Sequence, residues 1–316
     1  MTDPSPAAYA AAYAALAAKG RSFHWARRLL GAVHADRATR LYGFCRRVDD
    51  LADEAQSPDA ARAALFALGQ SLRAGASWDP LTADTIRLLQ DCQIDPAIPL
   101  ELIRGVAGDL LPVRVADAAE LLRYCYRVAG TVGLMMSAAL DVTDPRALPH
   151  AIDLGIAMQL TNLCRDVRED ALADRRYLPA SLVGEIDPAR LARPSEADQP
   201  MVRSAVATLL DLADVYYRSG EDGLAYLPAN ARGSILVAAR VYRAIGGRLR
   251  RRSYDYWSSR AWVPVGGKAV ITVRALAALP FRQASRRPVQ PHDPALHRPL
   301  AGLLGINPMM GELNAA

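Results

Sequence analysis

Apolar residues recur at helical spacing along most of this chain, with Gly and Pro between the periodic segments. The pattern predicts ten helices, which are Ala7–Lys19, Ala35–Ala55, Ala60–Ala74, Ala83–Cys92, Pro99–Leu111, Ala118–Leu140, Pro149–Asp174, Met201–Tyr226, Ala229–Trp257 and Lys268–Leu279. No run alternates apolar and polar residues for long enough to build a sheet, and no solenoid period is visible. Helix is therefore favoured over strand, and the Pro- and Arg-rich stretch Arg282–Pro299 indicates an irregular tail.

A line of polar residues runs along the seventh predicted helix. Asn162, Asp166 and Asp170 follow one another at intervals of four, and Gln159 continues the line one turn earlier. Residues four apart share a helix face, and the other residues of this segment are mostly apolar. Two carboxylates and an amide supply the hard oxygen ligands that suit Mg²⁺, and the adjacent Arg165 suits phosphate oxygens.

A second aspartate helix precedes the first by more than a hundred residues. Asp49 and Asp53 are four residues apart, with Arg46 one turn before Asp49 and Tyr42 one turn before Arg46. Either helix alone is most simply a solvated acidic face. Two such helices facing each other would form an acidic cavity that only divalent metal and an anionic substrate can neutralise. This is the electrostatic arrangement expected of a diphosphate site.

The long apolar helix Ala118–Leu140 carries Gly130 and Gly133 in its middle, where each costs about 1 kcal/mol relative to Ala. Small residues there allow close approach by another helix or by a ligand, and the sequence leaves both possibilities open. Tyr124 lies shortly before them. Its ring either packs in the core or presents an aromatic face that stabilises a carbocation.

Composition narrows the classes of partner. The chain has 316 residues, 51% apolar residues, a net charge of +5 and a pI near 9.1. A basic balance suits anionic small molecules or membrane surfaces, and the absence of a basic-aromatic module argues against nucleic acid. Four cysteines without a metal or disulfide pattern indicate reduced thiols. With no signal peptide and no uncharged run of the roughly 18–20 residues that a span needs, we expect a cytoplasmic protein, bound at most to the membrane surface.

Five segments together resemble the phytoene/squalene synthase family of head-to-head isoprenyl diphosphate synthases. They are RSF at Arg21–Phe23, LYGFCRRVDDLAD at Leu41–Asp53, YCYRVAGTVG at Tyr124–Gly133, QLTNLCRDVREDALADRRYLP at Gln159–Pro179, and Tyr242 with YDYWSSR at Tyr254–Arg260. The combination is highly specific, although no single segment is. The third and fourth segments look most like those of the bacterial phytoene synthases within the family.

The resemblance implies an all-α, single-domain fold around a central cavity, with a synthase domain at residues 1–279 and a tail at residues 280–316. It implies that Mg²⁺ or Mn²⁺ is held by five residues, which are Asp49, Asp53, Asn162, Asp166 and Asp170. It implies diphosphate contacts from Arg21, Ser22, Tyr42, Arg46, Gln159, Arg165, Tyr242 and Arg260. Arg46, Arg165 and Tyr124 would be the catalytic residues, with Tyr124 near the reacting carbons.

The reaction implied by the family joins two prenyl diphosphates into a cyclopropylcarbinyl diphosphate and then into a linear hydrocarbon. We expect two geranylgeranyl diphosphates to give phytoene, for carotenoid biosynthesis, without a nicotinamide cofactor. The competing hypotheses are a squalene, hydroxysqualene or diapophytoene synthase acting on farnesyl diphosphate, of which squalene formation needs a reducing nicotinamide, and an inactive homologue that assists assembly on a membrane. The oligomeric state is not predicted.

Two departures from the family pattern qualify the resemblance. His24-Trp25 replace small or aromatic residues, which is expected to alter the cavity wall and the preference for substrate length. Gly246-Gly247 stand where a Leu and an acidic residue are usual, which bears on the helix after Tyr242 and on the placement of Arg260.

Overall fold

Helices follow one another through nearly all of the chain that the structure describes. This computed structural model describes residues 6–284 and 291–306. Its α-helices are α1 (Pro6–Lys19), α2 (Arg21–Arg27), α3 (Ala32–Asp53), α4 (Pro58–Ala74), α5 (Pro80–Asp91), α6 (Ala97–Gly108), α7 (Ala118–Cys125), α8 (Thr131–Ala139), α9 (Ala147–Arg165), α10 (Val167–Leu172), α11 (Ala180–Val183), α12 (Pro188–Ala192), α13 (Gln199–Asp222), α14 (Ala229–Arg251) and α15 (Val265–Ala284). The predicted all-α class is confirmed.

The remaining regular elements are short. A π-helical turn, Tyr126–Gly130, joins α7 to α8, and 3₁₀ turns occupy Gly223–Tyr226 and Pro294–Leu300. Two-residue strands, β1 (Val113–Arg114) and β2 (Arg175–Arg176), pair in parallel. This pairing fastens the chain after α10 to the chain before α7.

Side-chain caps set several helix starts. Asp117 precedes α7, and its carboxylate accepts the backbone N–H of Glu120 at 2.9 Å. Asp79 caps α5 in the same way through Thr82, at 2.8 Å. These side chains satisfy backbone donors that have no partner inside the helix. At the end of α4, Gly75 adopts φ 65°, the left-handed conformation that glycine takes without strain.

Two predicted helices are divided in the structure. The segment predicted as Ala118–Leu140 consists of α7, the π-helical turn and α8. The segment predicted as Pro149–Asp174 consists of α9 and α10, with Asp166 between them at φ −104° and ψ 14°. The backbone bonds from Asp166 N to Asn162 O and from Asp170 N to Asp166 O are both 2.9 Å, so the four-residue spacing of the polar line survives this break.

Helix α9 forms the centre of the core. It packs against α8, α13 and α14, and its residues Ile156, Leu160 and Cys164 are fully buried. The opposite face of α9 turns toward a cavity that is described below. Burying one face of a helix while leaving the other beside an internal space places side chains of α9 where a ligand could reach them.

Close helix contact explains the glycines where α9 packs against α8 and the π-helical turn before it. A methyl group added at Gly133 would lie 2.2 Å from the carbonyl oxygen of Ala151, and one added at Gly155 would lie 2.2 Å from that of Ala129. Atoms cannot approach so closely, so these helices meet backbone to backbone. The contacts of Gly133 support helix packing, and Gly133 also lines the cavity described below, so close approach by a ligand stays open as well.

The cysteines carry no disulfide. Cys45, Cys92, Cys125 and Cys164 are all free thiols, and burial raises the pKa of each. A raised pKa keeps the unreactive protonated form, as expected for thiols that only pack. Within residues 6–284 and 291–306, no helix is both long enough and apolar enough to cross a membrane.

Residues 291–306 pack on the helical body, although the sequence predicts an irregular tail there. His292 and His297 each bond one oxygen of the fully buried Asp153 on α9, at 2.9 and 2.8 Å, and Leu300 is fully buried. Tyr216 on α13 donates to the carbonyl of Leu296 at 2.8 Å. Helix α15 also extends past residue 279. The division of the chain at residues 279 and 280 remains a prediction.

Candidate active site

A cavity of about 300 Å³ runs along one face of α9. Its wall is predominantly apolar and includes residues of α2, α3, α8, α13 and α14 and of the π-helical turn. The residues of α9 that line it recur at helical spacing, from Ala147 to Asn162. At 1.5 Å per residue, these two positions are roughly 22 Å apart. The cavity is therefore long enough for an extended hydrocarbon chain.

Five of the predicted site residues reach the wall of this cavity. They are Tyr42, Asp49, Gln159, Asn162 and Tyr242. Gln159 and Asn162 belong to the last turns of α9, so these two predicted site residues lie at the same end of the cavity. The sequence thus predicts residues that form the polar end of a mostly apolar cavity.

Arg46 organises the carboxylates of α3. Its Nε donates to Asp50 Oδ1 at 2.7 Å, and its other nitrogens lie 3.8 Å from Asp49 and 3.9 Å from Asp53. Asp53 is also 3.8 Å from Arg175. Burial raises the pKa of Asp49 to about 7; Arg46 opposes this shift and Asp53 adds to it. Asp49 is therefore a buried carboxylate whose negative charge Arg46 does not fully offset.

Two arginines hold the carboxylate of Asp166. The Nε atoms of Arg165 and Arg260 each donate to Asp166 Oδ1 at 2.7 Å, and a second nitrogen of each arginine bonds Oδ2. Burial alone would raise the pKa of Asp166, yet these bonds hold it below its ordinary value. Asp170 has no such arginine pair among the described residues, and burial together with the negative charge of Asp166 raises its pKa to about 8.

Asp109 connects the two acidic helices. Its carboxylate accepts hydrogen bonds from Tyr124 at 2.9 Å and from Tyr177 at 2.7 Å, and its charge acts on both Asp49 and Asp170. Burial raises the pKa of Asp109, and the two tyrosine hydroxyls oppose that shift. Tyr124 thus lies beside the acidic cluster, and it is not among the residues that line the cavity.

Sequence reasoning misses four residues of this cluster, which are Asp50, Asp109, Arg175 and Tyr177. Arg175 and Tyr177 lie within the family-like segment Gln159–Pro179, so the signal that marks that segment covers them as well. Asp50 directly follows Asp49 and lies one helical turn after Arg46, a spacing typical of an ion pair. Asp109 has no local signal, because only the fold brings it beside Tyr124.

The Arg21-Ser22 turn lies apart from the aspartates. Helix α2 begins at Arg21, and the carbonyl of Arg21 accepts a hydrogen bond from Lys268 at 3.1 Å. The following residue in the segment, Phe23, has its ring 6.1 Å from that of Tyr42 and 5.1 Å from that of Tyr242. Phe23 therefore places the turn near the polar end of the cavity, and no hydrogen bond or ion pair within the described residues joins Arg21 to a predicted metal ligand.

The two departures from the family pattern have local consequences. Trp25 donates to Thr272 on α15 at 2.9 Å. Neither His24 nor Trp25 lines the cavity, so the expectation that these two residues alter the cavity wall is wrong. A methyl group at Gly246 would lie 2.9 Å from Leu210, which indicates that a small residue lets α14 approach α13. Arg260 nevertheless reaches Asp166.

The predicted ligand set fits a hard divalent cation. Asn162 Oδ1 is buried without a hydrogen-bond partner, and the raised pKa values of Asp49 and Asp170 mark carboxylates short of positive charge. A cation would satisfy all three. No three of the predicted aspartates, all of which lie in the described part of the chain, bring their oxygens within 4.8 Å of one another, and arginines bond Asp166 and Asp50, the residue after Asp49. Among the described residues, the one group of three His, Cys, Asp or Glu side chains whose ligand atoms lie within 4.8 Å of one another is Asp153 with His292 and His297.

The chain is similar to known proteins over most of its length. Residues 16–266 match the sequence profile called squalene/phytoene synthase. The chain belongs to that family. Among its relatives, the phytoene synthase of Rhodobacter capsulatus is 35% identical over 285 residues, which cover 88% of this chain and 83% of the relative. The 15-cis-phytoene synthase of Pantoea ananas is 33% identical over 309 residues, which cover 93% of this chain and 98% of the relative.

Solved structures of a dehydrosqualene synthase and of a squalene synthase have the same fold. A dehydrosqualene synthase crystallised with a ligand superposes with a TM-score of 0.78 and 25% identity, covering 87% of this chain and 97% of the other. The squalene synthase HpnC of Alicyclobacillus acidocaldarius gives a TM-score of 0.68 at 20% identity, covering 78% of this chain and 95% of the other. The resemblance drawn from the five sequence segments is confirmed.

Proposed function

We propose that this protein is a phytoene synthase, a prenyltransferase that condenses two geranylgeranyl diphosphates head to head. The product is phytoene, formed through the cyclopropyl (prephytoene) diphosphate with release of two diphosphates. One observation carries the proposal: a long apolar cavity meets two aspartate-bearing helices and their arginines at its polar end. The names of the relatives that cover most of the chain agree with it.

The polar end suits a diphosphate group. Asp49, Asp53, Asn162, Asp166 and Asp170 would hold Mg²⁺ or Mn²⁺, which when bound neutralises the negative charge that develops on departing diphosphate. Arg46, Arg165 and Arg260 now bond carboxylates, and the same guanidinium donors suit phosphate oxygens.

The apolar wall protects the allylic cation that forms when diphosphate leaves. Water would trap such a cation, and a predominantly apolar lining keeps water away. The rings of Tyr42 and Tyr242 lie at the polar end, where a positive charge on carbon can meet aromatic faces. Burial raises the pKa of both phenols, so each hydroxyl keeps its proton.

Tyr124 keeps its proposed catalytic role through the acidic cluster. Burial, followed by the negative charge of Asp109, raises its pKa well above the ordinary value. A protonated Tyr124 hydroxyl that donates to Asp109 can hold this carboxylate in position beside Asp49 and Asp170, although Tyr124 itself does not line the cavity. Arg21 and Ser22 are proposed to contact diphosphate from the α2 side of the polar end.

The final cation loses a proton in phytoene formation, whereas squalene formation captures a hydride. Proton loss needs only a weak base and a dry cavity, and released diphosphate can be that base. We therefore propose that no nicotinamide cofactor takes part. The second candidate is a dehydrosqualene-type synthase acting on farnesyl diphosphate, and the superposition on a dehydrosqualene synthase favours it over a squalene or hydroxysqualene synthase. An inactive assembly partner is disfavoured, because each of the five proposed ligand positions carries a side chain that can bind a metal ion.

A parallel assay separates these candidates. The protein is incubated with Mg²⁺ and either geranylgeranyl or farnesyl diphosphate, with and without NADPH, and the hydrocarbon is identified by mass spectrometry. The proposal expects phytoene from the C20 substrate in both cofactor conditions. The variant Asp166→Asn serves as the control for background condensation. Cytoplasmic location and contact with the inner face of a membrane remain part of the proposal.

A further inference from the structure

The outer side of α15 exposes a row of apolar residues. Trp262 precedes the helix, and Val265, Val270, Val273 and Leu276 lie on it; their exposed fractions run from 36% for Leu276 to 68% for Val273. We call these five residues the α15 face. Gly266 and Ala277 are also exposed and fill the gaps between them.

Such a surface is unusual for a helix that contacts water. The outward side of a surface helix normally carries charged residues, and a helix that is apolar all round is normally covered. Between residues 265 and 279, the charged residues of α15 are Lys268, which is buried, and Arg274, which is exposed. Contiguous apolar patches on soluble proteins commonly mark a binding surface.

Two positive charges lie on or near α15. Arg28 lies over the ring of Trp25 at 5.7 Å, and Trp25 bonds Thr272 on α15, so Arg28 lies near this helix. Arg274 is on the helix itself. Neither Arg28 nor Arg274 makes an ion pair with a described residue. The sequence has no Asp or Glu between Asp255 and Asp293, so no acidic side chain of this segment offsets them.

We propose that the α15 face rests on an anionic lipid bilayer. Valine, leucine and tryptophan side chains enter the boundary between headgroups and acyl chains, while Arg28 and Arg274 meet anionic headgroups. The hydrogen bond from Lys268 to the carbonyl of Arg21 places α15 beside α2, which forms part of the cavity wall. Resting on the proposed function, this position would bring the cavity close to the lipid that receives a hydrocarbon product.

The positive charges of Arg28 and Arg274 favour an anionic bilayer over a second copy of the chain as the partner of the α15 face. A symmetric dimer through the α15 face would bring Arg28 and Arg274 of one copy against the same residues of the other. Like charges across an interface are unfavourable, whereas an anionic bilayer attracts them. The α15 face together with Arg28 and Arg274 is thus complementary to an anionic lipid bilayer.

Vesicle binding tests the proposal directly. The full chain is centrifuged with vesicles of phosphatidylcholine alone or mixed with phosphatidylglycerol, at low and high salt. Wild type is expected to bind the anionic vesicles and to lose binding as salt rises. The double variant Val270→Glu with Val273→Glu is expected to bind at least tenfold more weakly. Arg28→Gln and Arg274→Gln should each weaken binding about fivefold, the scale for one basic residue at a bilayer surface.

Matched controls come from a different part of the molecule. Phe66 on α4 is an exposed apolar residue and Arg73 is an exposed arginine on the same helix, so Phe66→Glu and Arg73→Gln should leave binding unchanged. Brominated lipid should quench fluorescence in wild type and Trp78→Phe, and quench it less in Trp262→Phe. Thermal unfolding of each variant establishes that it is folded.

The outcomes separate this proposal from the proposed function. Vesicle binding that is indifferent to the valine and arginine substitutions overturns the α15 proposal, as does a dimer in lipid-free solution that Val270→Glu and Val273→Glu dissociate. If the protein makes phytoene in detergent but ignores anionic vesicles, the surface proposal fails and the function stands. If it binds through α15 and makes no hydrocarbon, the function fails and the surface stands.

Discussion

Shortening the cavity should change the substrate that the protein accepts. Ala151 lines the cavity on α9, eleven residues before Asn162, which corresponds to roughly 16 Å of helix. An extended isoprene unit is about 5 Å long, from four carbon–carbon bonds of about 1.5 Å. A C15 chain that starts at the polar end therefore reaches about as far as Ala151, and a C20 chain passes it.

The binding energy that a C20 substrate would lose can be estimated from the number of carbons that a larger side chain at position 151 displaces. In Ala151→Phe, the ring would occupy the space of the fourth isoprene unit. Five carbons that lose their apolar surroundings, at about 0.8 kcal/mol each, cost about 4 kcal/mol. That energy corresponds to about a thousandfold loss of kcat/KM for geranylgeranyl diphosphate, while farnesyl diphosphate should be used as before or better.

Substrate competition measures this effect. Wild type, Ala151→Leu, Ala151→Phe and the deeper control Ala147→Leu are each given both diphosphates, and hydrocarbon products are quantified by chain length. The C20-to-C15 ratio should fall from wild type through Leu to Phe and stay within a few-fold of wild type in the control. Because the backbone of Ala151 lies against Gly133, thermal unfolding is recorded for every variant. A folded Ala151→Phe protein with an unchanged ratio would refute the assignment of this cavity to the prenyl chain.

Three further predictions concern the metal, the carboxylates and the C-terminal segment. EDTA should abolish turnover and Mg²⁺ or Mn²⁺ should restore it, because the proposed ligands are hard oxygens; full activity in metal-free buffer would contradict this. Asp49→Asn and Asp166→Asn should each keep the fold and lower turnover by at least ~10²-fold, the scale for one preorganised electrostatic group, whereas the exposed Asp59→Asn should not. His297→Phe should lower the free energy of unfolding in denaturant titration by about 2–3 kcal/mol, because the buried charge of Asp153 loses one of its donors; unchanged stability would show that the segment is held by other contacts.

The local features of the fold could be predicted because they depend on residues close together in sequence. The apolar periodicity that builds α3, α9, α13 and α14 is visible directly in the chain, as is the spacing of Asn162, Asp166 and Asp170. The division at Asp166 could not be predicted, because Arg260, which shares that carboxylate with Arg165, is nearly a hundred residues away. The same limit applies to Gly133, whose neighbour across the helix interface belongs to another predicted helix.

In the candidate site too, residues placed by local spacing could be predicted, and residues placed by contacts between distant segments could not. Tyr42, Asp49, Gln159 and Asn162 could be placed at a polar end because motif spacing fixes their helix faces. Asp109 could not, since its relation to Tyr124 and Tyr177 depends on the β1–β2 pairing that joins two distant segments. The sequence predicts an irregular tail at Arg282–Pro299 because that stretch is rich in proline and arginine. The contacts that hold residues 291–306 could not be predicted, because nothing in the sequence marks Asp153 as a buried partner of His292 and His297.

The product formed from geranylgeranyl diphosphate with Mg²⁺ and no other cofactor tests the central proposal most directly. Mass spectrometry of the extracted hydrocarbon should show phytoene in amounts that do not change when NADPH is added. A hydrocarbon that forms only from farnesyl diphosphate, and only when NADPH is present, would contradict the proposal and identify the protein as a squalene synthase.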